Sequence, residues 1–230
     1  MTVHKVDLEA VAKGLERPFL MQQVAQVDHF GVYVYLCRGA VARHRHVTQD
    51  ELFYVHSGSL ALDTDWGHIT LSRREFAVVP QGLAHVSGSI AGAVVMLFQA
   101  RGDPDRKNGH GHLILGPGTH LLPKWSVDRA ADRLRKPYLP LAVAQVDEMQ
   151  VRVVWCLGET NWHVHPDHDE MLLITDGRLG VATPTGSFDA KRDELLVIPR
   201  KRIHRLTSSR DTIILSLTHG EVTLEAPMGR

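Results

Sequence analysis

Two imidazoles one residue apart, His44 and His46, followed five residues later by a carboxylate, Glu51, make a set that can hold a metal ion. In a β-strand, residues i and i+2 point to the same face, so the two histidines present their rings side by side. The intervening Val47-Thr-Gln-Asp50 can turn the chain, and Glu51 then opens the next strand and reaches back to the same point. A fourth ligand must come from elsewhere, and His85 follows Pro80-Gln-Gly82 at the end of a later strand. Imidazole and carboxylate ligands suit first-row metals such as iron, manganese, nickel or zinc. Three neutral imidazoles and one carboxylate leave a divalent ion with a net charge of about +1 and with open coordination positions. Such a centre attracts an anionic or enolisable substrate and acts on it as a Lewis acid.

The same plan occurs twice. An offset of 119 residues superimposes the two halves without a gap. Val24-Ala-Gln-Val-Asp28 falls on the identical Val143–Asp147, and Cys37, Gly39, Gly58, Glu75 and Pro80 fall on Cys156, Gly158, Gly177, Glu194 and Pro199. The metal-type residues His44, His46, Glu51 and His85 fall on His163, His165, Glu170 and His204. A single His-x-His in a strand is more often structural than metal-binding; four ligands, repeated, reverse that weighting. The two cysteines are equivalent positions in two units, read as small buried apolar residues and not as a disulfide. His168, in the turn Pro166-Asp-His-Asp169, has no histidine counterpart; it is read as a surface or packing residue, with a place at the mouth of the second set as the alternative.

Each repeat reads as short strands rich in β-branched and aromatic residues, separated by turn signals. Examples are Val32–Cys37, Leu52–His56, Phe76–Pro80 and Ala93–Phe98, then Val151–Cys156, Met171–Ile174, Leu195–Ile198 and Thr212–Leu217. Gly58 is expected to close the strand that Glu51 opens. Short helical stretches open the repeats near Leu8–Glu16 and Val127–Arg135. Between the repeats, Arg101–His112 reads as a solvated connector, with His110 and His112 in it as a second His-x-His that lacks a carboxylate partner.

The chain resembles the cupin superfamily. His44-x-His46, Glu51 and Gly58 match its first motif, and Pro80-x-Gly82-x-x-His85 its second. The second repeat matches at His163, His165, Glu170, Gly177, Pro199 and His204, with Lys201 where glycine is usual. Before the acid of the second motif stand Arg74 and Asp193 in place of glycine, and Gly39 and Gly158 lie one residue closer to the first histidine than in germin-type motifs. The resemblance covers nearly the whole chain and implies an all-β protein of two tandem jelly-roll barrels. The expected domains are 1–112, a linker at 113–121, and 122–230. One divalent transition metal per domain is implied, without fixing its identity. Many reactions share this fold, so it names none.

Strand phase suggests the pocket walls. If Glu51 faces inward, so do Phe53 and Val55; in the second repeat Glu170, Leu172 and Ile174 follow the same rule. Tyr33 and Tyr35 correspond to Arg152 and Val154. Were that phase inward, the first site would offer phenols and the second a guanidinium able to clamp a carboxylate. The outward phase, Leu52 and Tyr54 against Met171 and Leu173, is apolar and suited to internal pairing of the barrels, with a homodimer of whole chains also open.

Lys+Arg and Asp+Glu are equal at 26 each, which argues against a nucleic-acid partner. There is no apolar run long enough for a membrane helix and no apolar segment of a secretory signal near the start, so a cytoplasmic location is expected. The expected partner is a small molecule. Three functions fit: a dioxygenase-like metalloenzyme on a small anionic or enolisable substrate, which leads; a redox-neutral isomerase or decarboxylase; and a non-catalytic metal-dependent binding protein.

Overall fold

The computed structural model describes residues 2–100, 107–108 and 121–219. The first repeat opens with β1 (His4–Asp7) and helix α1 (Leu8–Lys13). It continues through β2 (Gln22–Val27), β3 (Phe30–Ala40), β4 (His44–Arg45), β5 (Glu51–Thr64), β6 (Gly67–Ser72), β7 (Glu75–Val79), β8 (His85–Ala100) and β9 (Lys107–Asn108). The second repeat opens with β10 (Lys124–Ser126) and helix α2 (Val127–Ala131). It runs on through β11 (Leu141–Val146), β12 (Met149–Glu159), β13 (Glu170–Asp176), β14 (Arg178–Thr183), β15 (Gly186–Lys191), β16 (Glu194–Ile198) and β17 (Arg205–His219). Both helices are shorter than the sequence suggests. Past α1 and α2 the chain tightens into turns, with Gly14 N–H donating to Val11 and Leu134 N–H to Ala131 three residues back.

The chain divides into two units, Ala10–Ser126 and Met1–Glu9 together with Val127–Arg230. Each is an antiparallel sheet wrapped around its own core. In the first, the strand order is β10-β7-β5-β8-β3-β2, with β6 on β5, β4 on β8 and β9 on β4. In the second it is β1-β16-β13-β17-β12-β11, with β14 on β17 and β15 on β14. Alternate inward residues fill the cores. Tyr35, Phe53, Val55, Leu60, Leu62 and Leu97 belong to the first, and Val154, Leu172, Ile174, Leu179, Leu196 and Ile214 to the second. The outward set Leu52, Tyr54, Met171 and Leu173 is buried as well.

The edge strands are exchanged between repeats. β1, from the start of the first repeat, pairs with β16, and β10, from the start of the second, pairs with β7. The registers are equivalent at the offset of 119: Lys5 faces Leu196 as Lys124 faces Ala77. Lys5 Nζ lies 3.5 Å from Glu194 Oε1, and Lys124 Nζ 3.1 Å from Glu75 Oε2. Each of these glutamates also caps its own turn by accepting a backbone N–H, from Lys191 at 2.8 Å and Ser72 at 2.9 Å. The units therefore differ at their ends from the ranges 1–112 and 122–230. A sequence offset records which residues are equivalent, and not which sheet edge a strand joins.

Two further expectations change. Gly58 does not end its strand; it lies inside β5 at φ 79°, next to a register shift against β8. A Cβ there would collide with the Gly92 carbonyl, so glycine permits the close crossing. In the second repeat the equivalent Gly177, φ 85°, separates β13 from β14. Within the connector, residues 107–108 form β9 against β4 instead of a loop, while His110 and His112 lie outside the described residues.

Candidate metal centre

In each barrel the first and last histidines of the set are brought together by backbone pairing. His163 and His204 exchange N–H···O bonds at 2.9 Å in both directions, and His44 is the antiparallel partner of His85. Residues paired across antiparallel strands carry their side chains on one face, so the rings converge. The second histidine is fixed by a tight turn. Its carbonyl accepts the N–H of residue 82 or 201 at 2.6 Å in both barrels. That turn needs a left-handed residue: Gly82 sits at φ 80° and Lys201 at φ 64°. Arg74 and Asp193, where the motif has glycine, are left-handed too, at φ 64° and 65°. Both repeats thus hold a left-handed residue at these turns, with or without glycine. Glu51 and Glu170 open β5 and β13, and the preceding Asp50 and Asp169 accept the N–H of Gln81 at 2.8 Å and Arg200 at 2.9 Å.

His163, His165, Glu170 and His204 are all buried, each offering one ligand atom within 4.8 Å of the others. In the first barrel His44, Glu51 and His85 meet in the same way. His46 stands at the edge of that group, its Nε2 3.4 Å from Glu51 Oε1. The rings are held from behind. Nδ1 of His44, His85, His163 and His204 faces the carbonyl two residues earlier at 2.9, 3.1, 2.9 and 2.8 Å. A proton on Nδ1 donated to that carbonyl leaves the Nε2 lone pair aimed inward, the tautomer a metal ligand needs. His46 is held differently: the Gln49 side-chain Nε2 donates to its Nδ1 at 3.1 Å.

The inward atoms face one another and make no well-aligned hydrogen bond. Nε2 of His85, His165 and His204 and Oε2 of Glu51 and Glu170 are buried in this way among the described residues, 3.0–3.5 Å apart. Buried polar atoms are otherwise almost always satisfied, so this cluster of orphaned donor atoms fits a metal ion. Burial alone would raise the Glu170 pKa, but the adjoining His165 and His204, with Nε2 at 3.5 and 3.4 Å, outweigh it and hold the carboxyl well below its usual range. Glu51 is lowered in the same way, with burial opposed by His85 at 3.0 Å and by His46 and His44. Burial and the neighbouring His204 lower the pKa of His163, favouring the neutral ring. The buried His/Glu groups are therefore able to bind metal.

The cavities above the two sets differ. The first, about 110 Å³, is lined by Tyr35, Phe53, Leu97, Phe19 and Met21 above His44, His46 and Glu51. The second, about 460 Å³, is lined by Tyr138, Leu139, Val154, Leu206, Ile214 and Arg152 above His163 and Glu170. The structure thus places Tyr35, Phe53 and Arg152 at cavity walls. Tyr33 packs partly buried against the first core, and Leu172 lies fully inside the second core, away from the cavity. Arg152 is buried at 6% exposure, with Nε and Nη2 donating to Gln150 Oε1 at 3.0 and 2.7 Å. Sequence reasoning missed Gln150. Its spacing of two from Arg152 on one strand was the available signal. His168 is buried beside the His165 ring, between Asp167 and the Thr218 hydroxyl, and does not line the cavity mouth.

No family model matches the chain. The uncharacterized protein YdbB of Bacillus subtilis (strain 168) is 28% identical over 90 residues, spanning 39% of this chain and 80% of that protein. Among solved structures, a Cupin 2 conserved barrel domain protein from Leptotrichia buccalis superimposes with TM-score 0.69 and 9% identity, over 96% of this chain and 98% of that one. The salicylate 1,2-dioxygenase of Pseudaminobacter salicylatoxidans superimposes with TM-score 0.70 and 11% identity, over 94% and 84%. At these identities the likeness is one of fold. Among the described residues no helix is long and apolar enough to cross a membrane.

Proposed function

Starting from a chain that folds as two consecutive cupin barrels, we propose that it is a metal-dependent enzyme of the dioxygenase type, acting in the second barrel on a small organic carboxylate. The observation that carries this reading is the convergence of His163, His165, Glu170 and His204 beneath a cavity whose wall holds a buried guanidinium, Arg152. A buried cation favours an anion beside it, and a guanidinium matches a carboxylate through two parallel hydrogen bonds. Gln150 orients Arg152 by accepting from Nε and Nη2. The Val154, Leu206 and Ile214 side chains give the body of the substrate an apolar wall and exclude water, and Thr160 and Ser216 supply hydroxyls. The three imidazoles and the Glu170 carboxylate would hold the metal. When bound, a metal such as iron supplies Lewis acidity and one-electron chemistry with oxygen. The salicylate 1,2-dioxygenase of similar fold makes hydroxybenzoates the first substrates to try.

The test uses full-length protein purified without a histidine tag. Metal content should be two equivalents per chain, falling by one in Glu51→Ala and by one in Glu170→Ala. Oxygen uptake should follow addition of a hydroxybenzoate, vanish in Glu170→Ala and show a raised KM in Arg152→Ala. An unchanged metal content in either glutamate variant overturns the site in that barrel. Turnover without oxygen uptake would move the enzyme to the redox-neutral class.

A further inference from the structure

The two cavities sit over equivalent residue sets and yet differ about fourfold in volume, 110 against 460 Å³. Pockets for organic ligands usually measure about 300–1,000 Å³. The second cavity falls inside that range and the first well below it. The offset of 119 identifies what fills the difference. Tyr35 stands where the second barrel has Val154, and Leu97 where it has Ser216. All four line their cavities. Tyr35 is buried, and its side chain shares the cavity wall with Ser87. Beyond it the first cavity stops, whereas the second continues along β12 to Arg152 and Gln150. Along the corresponding stretch of β3 the Tyr33 ring lies over Gly31, where any Cβ would collide with it. The first barrel thus has an aromatic ring folded over a glycine where the second has an arginine and its glutamine support.

We propose that Tyr35 and Leu97 are size-determining residues that restrict the first centre to ligands of a few atoms, such as water or formate, while Val154 and Ser216 open the second centre to ring-sized organic molecules. The restriction deepens the metal-centre reading and rests on it only for the chemistry, since cavity size does not depend on a metal. One barrel then serves as the substrate site and the other as a centre closed to substrate.

The experiment exchanges the filling residues and reads cavity occupancy with phenol, a neutral ring that needs neither metal nor arginine. Crystals of the full chain are soaked with phenol, and binding stoichiometry is measured by calorimetry. Wild type should take up phenol in the second barrel alone. The Tyr35→Val/Leu97→Ser variant should take up phenol in both barrels, doubling the stoichiometry. Val154→Tyr, which fills space and leaves the first barrel untouched, should weaken uptake in the second barrel at least tenfold. Phenol in the first barrel of wild type overturns the proposal. So does a first cavity that remains closed in the double variant, or undiminished uptake in Val154→Tyr. Metal content is measured on the same samples: its loss from wild type would count against the metal-centre reading, and the phenol occupancies would still decide the size limit.

Discussion

Val3 and Leu122 stand at equivalent places in the two repeats, and each is buried in the core of the barrel that the other repeat builds. Val3 packs with Val154, Leu172 and Leu196, and Leu122 with Tyr35, Phe53 and Leu97. The short strands beyond them, β1 and β10, cover edges of β16 and β7 that would otherwise present unpaired backbone groups.

Placing a carboxylate at either position should therefore loosen the opposite barrel. Val3→Asp and Leu122→Asp each bury an unpaired charge, costing about 2–3 kcal/mol. Hydrogen exchange should locate the damage. Amides of 194–198 should speed up in Val3→Asp and amides of 75–79 in Leu122→Asp, each by about 30- to 160-fold. If each substitution loosens its own repeat instead, the exchange of edges is wrong.

Lys201 holds a left-handed backbone where its counterpart is Gly82. A side chain in that conformation costs about 1 kcal/mol, and glycine relieves it. Lys201→Gly should raise the unfolding free energy by about 0.5–1 kcal/mol in denaturant melts. Its metal content should not change, because the turn's hydrogen bond to the His165 carbonyl is kept. A loss of stability would show that the lysine side chain contributes more than its strain.

Burial pushes the Cys37 thiol up to about 11 and the Cys156 thiol up to about 12. The raised values disfavour the thiolate, so at pH 8 it is about one part in a thousand for Cys37 and about one in ten thousand for Cys156. Both side chains are fully buried. Neither should react with a thiol reagent in the native protein at pH 8, and two thiols per chain should react after unfolding in denaturant. Native labelling at the rate of a free cysteine would contradict the packing of β3 and β12.

Metal should also stabilise the fold. An ion present at about 100 times its dissociation constant adds about 2.7 kcal/mol to the state that binds it. Adding zinc or manganese to chelated protein should raise the melting temperature. The rise should shrink, without vanishing, in Glu51→Ala and in Glu170→Ala. A full rise in either variant would mean that the ion binds elsewhere.

The repeated strands and the two ligand sets were legible because they depend on local spacing: i and i+2 on one face, and one offset running through the chain. The same spacing argument placed Phe53, Val55, Leu172 and Ile174 inside their barrels. It could not say that Leu172 is sealed in the core while Arg152 faces a cavity, because both are inward residues at different depths. Cavity size depends on pairs such as Tyr35 and Leu97, which are 62 positions apart in the sequence and meet only across β3 and β8. The exchanged edges were hidden for another reason. β1 and β10 are interchangeable by offset, and β7 and β16 are too, so no pattern of residues says which pairs with which.

That exchange also orders events during synthesis. The partner of β10 is made before it, so the first barrel has all its strands as soon as residue 126 leaves the ribosome. β1 must wait for β16, whose residues follow about 190 positions later. At about 5–20 residues per second the delay is about 10–40 s, during which a four-residue segment has no edge to join. His4-Lys-Val-Asp7 is short and carries two opposite charges, features that discourage pairing with other chains. Of the two barrels the second thus closes later, and it closes on a strand made before any strand of the first barrel.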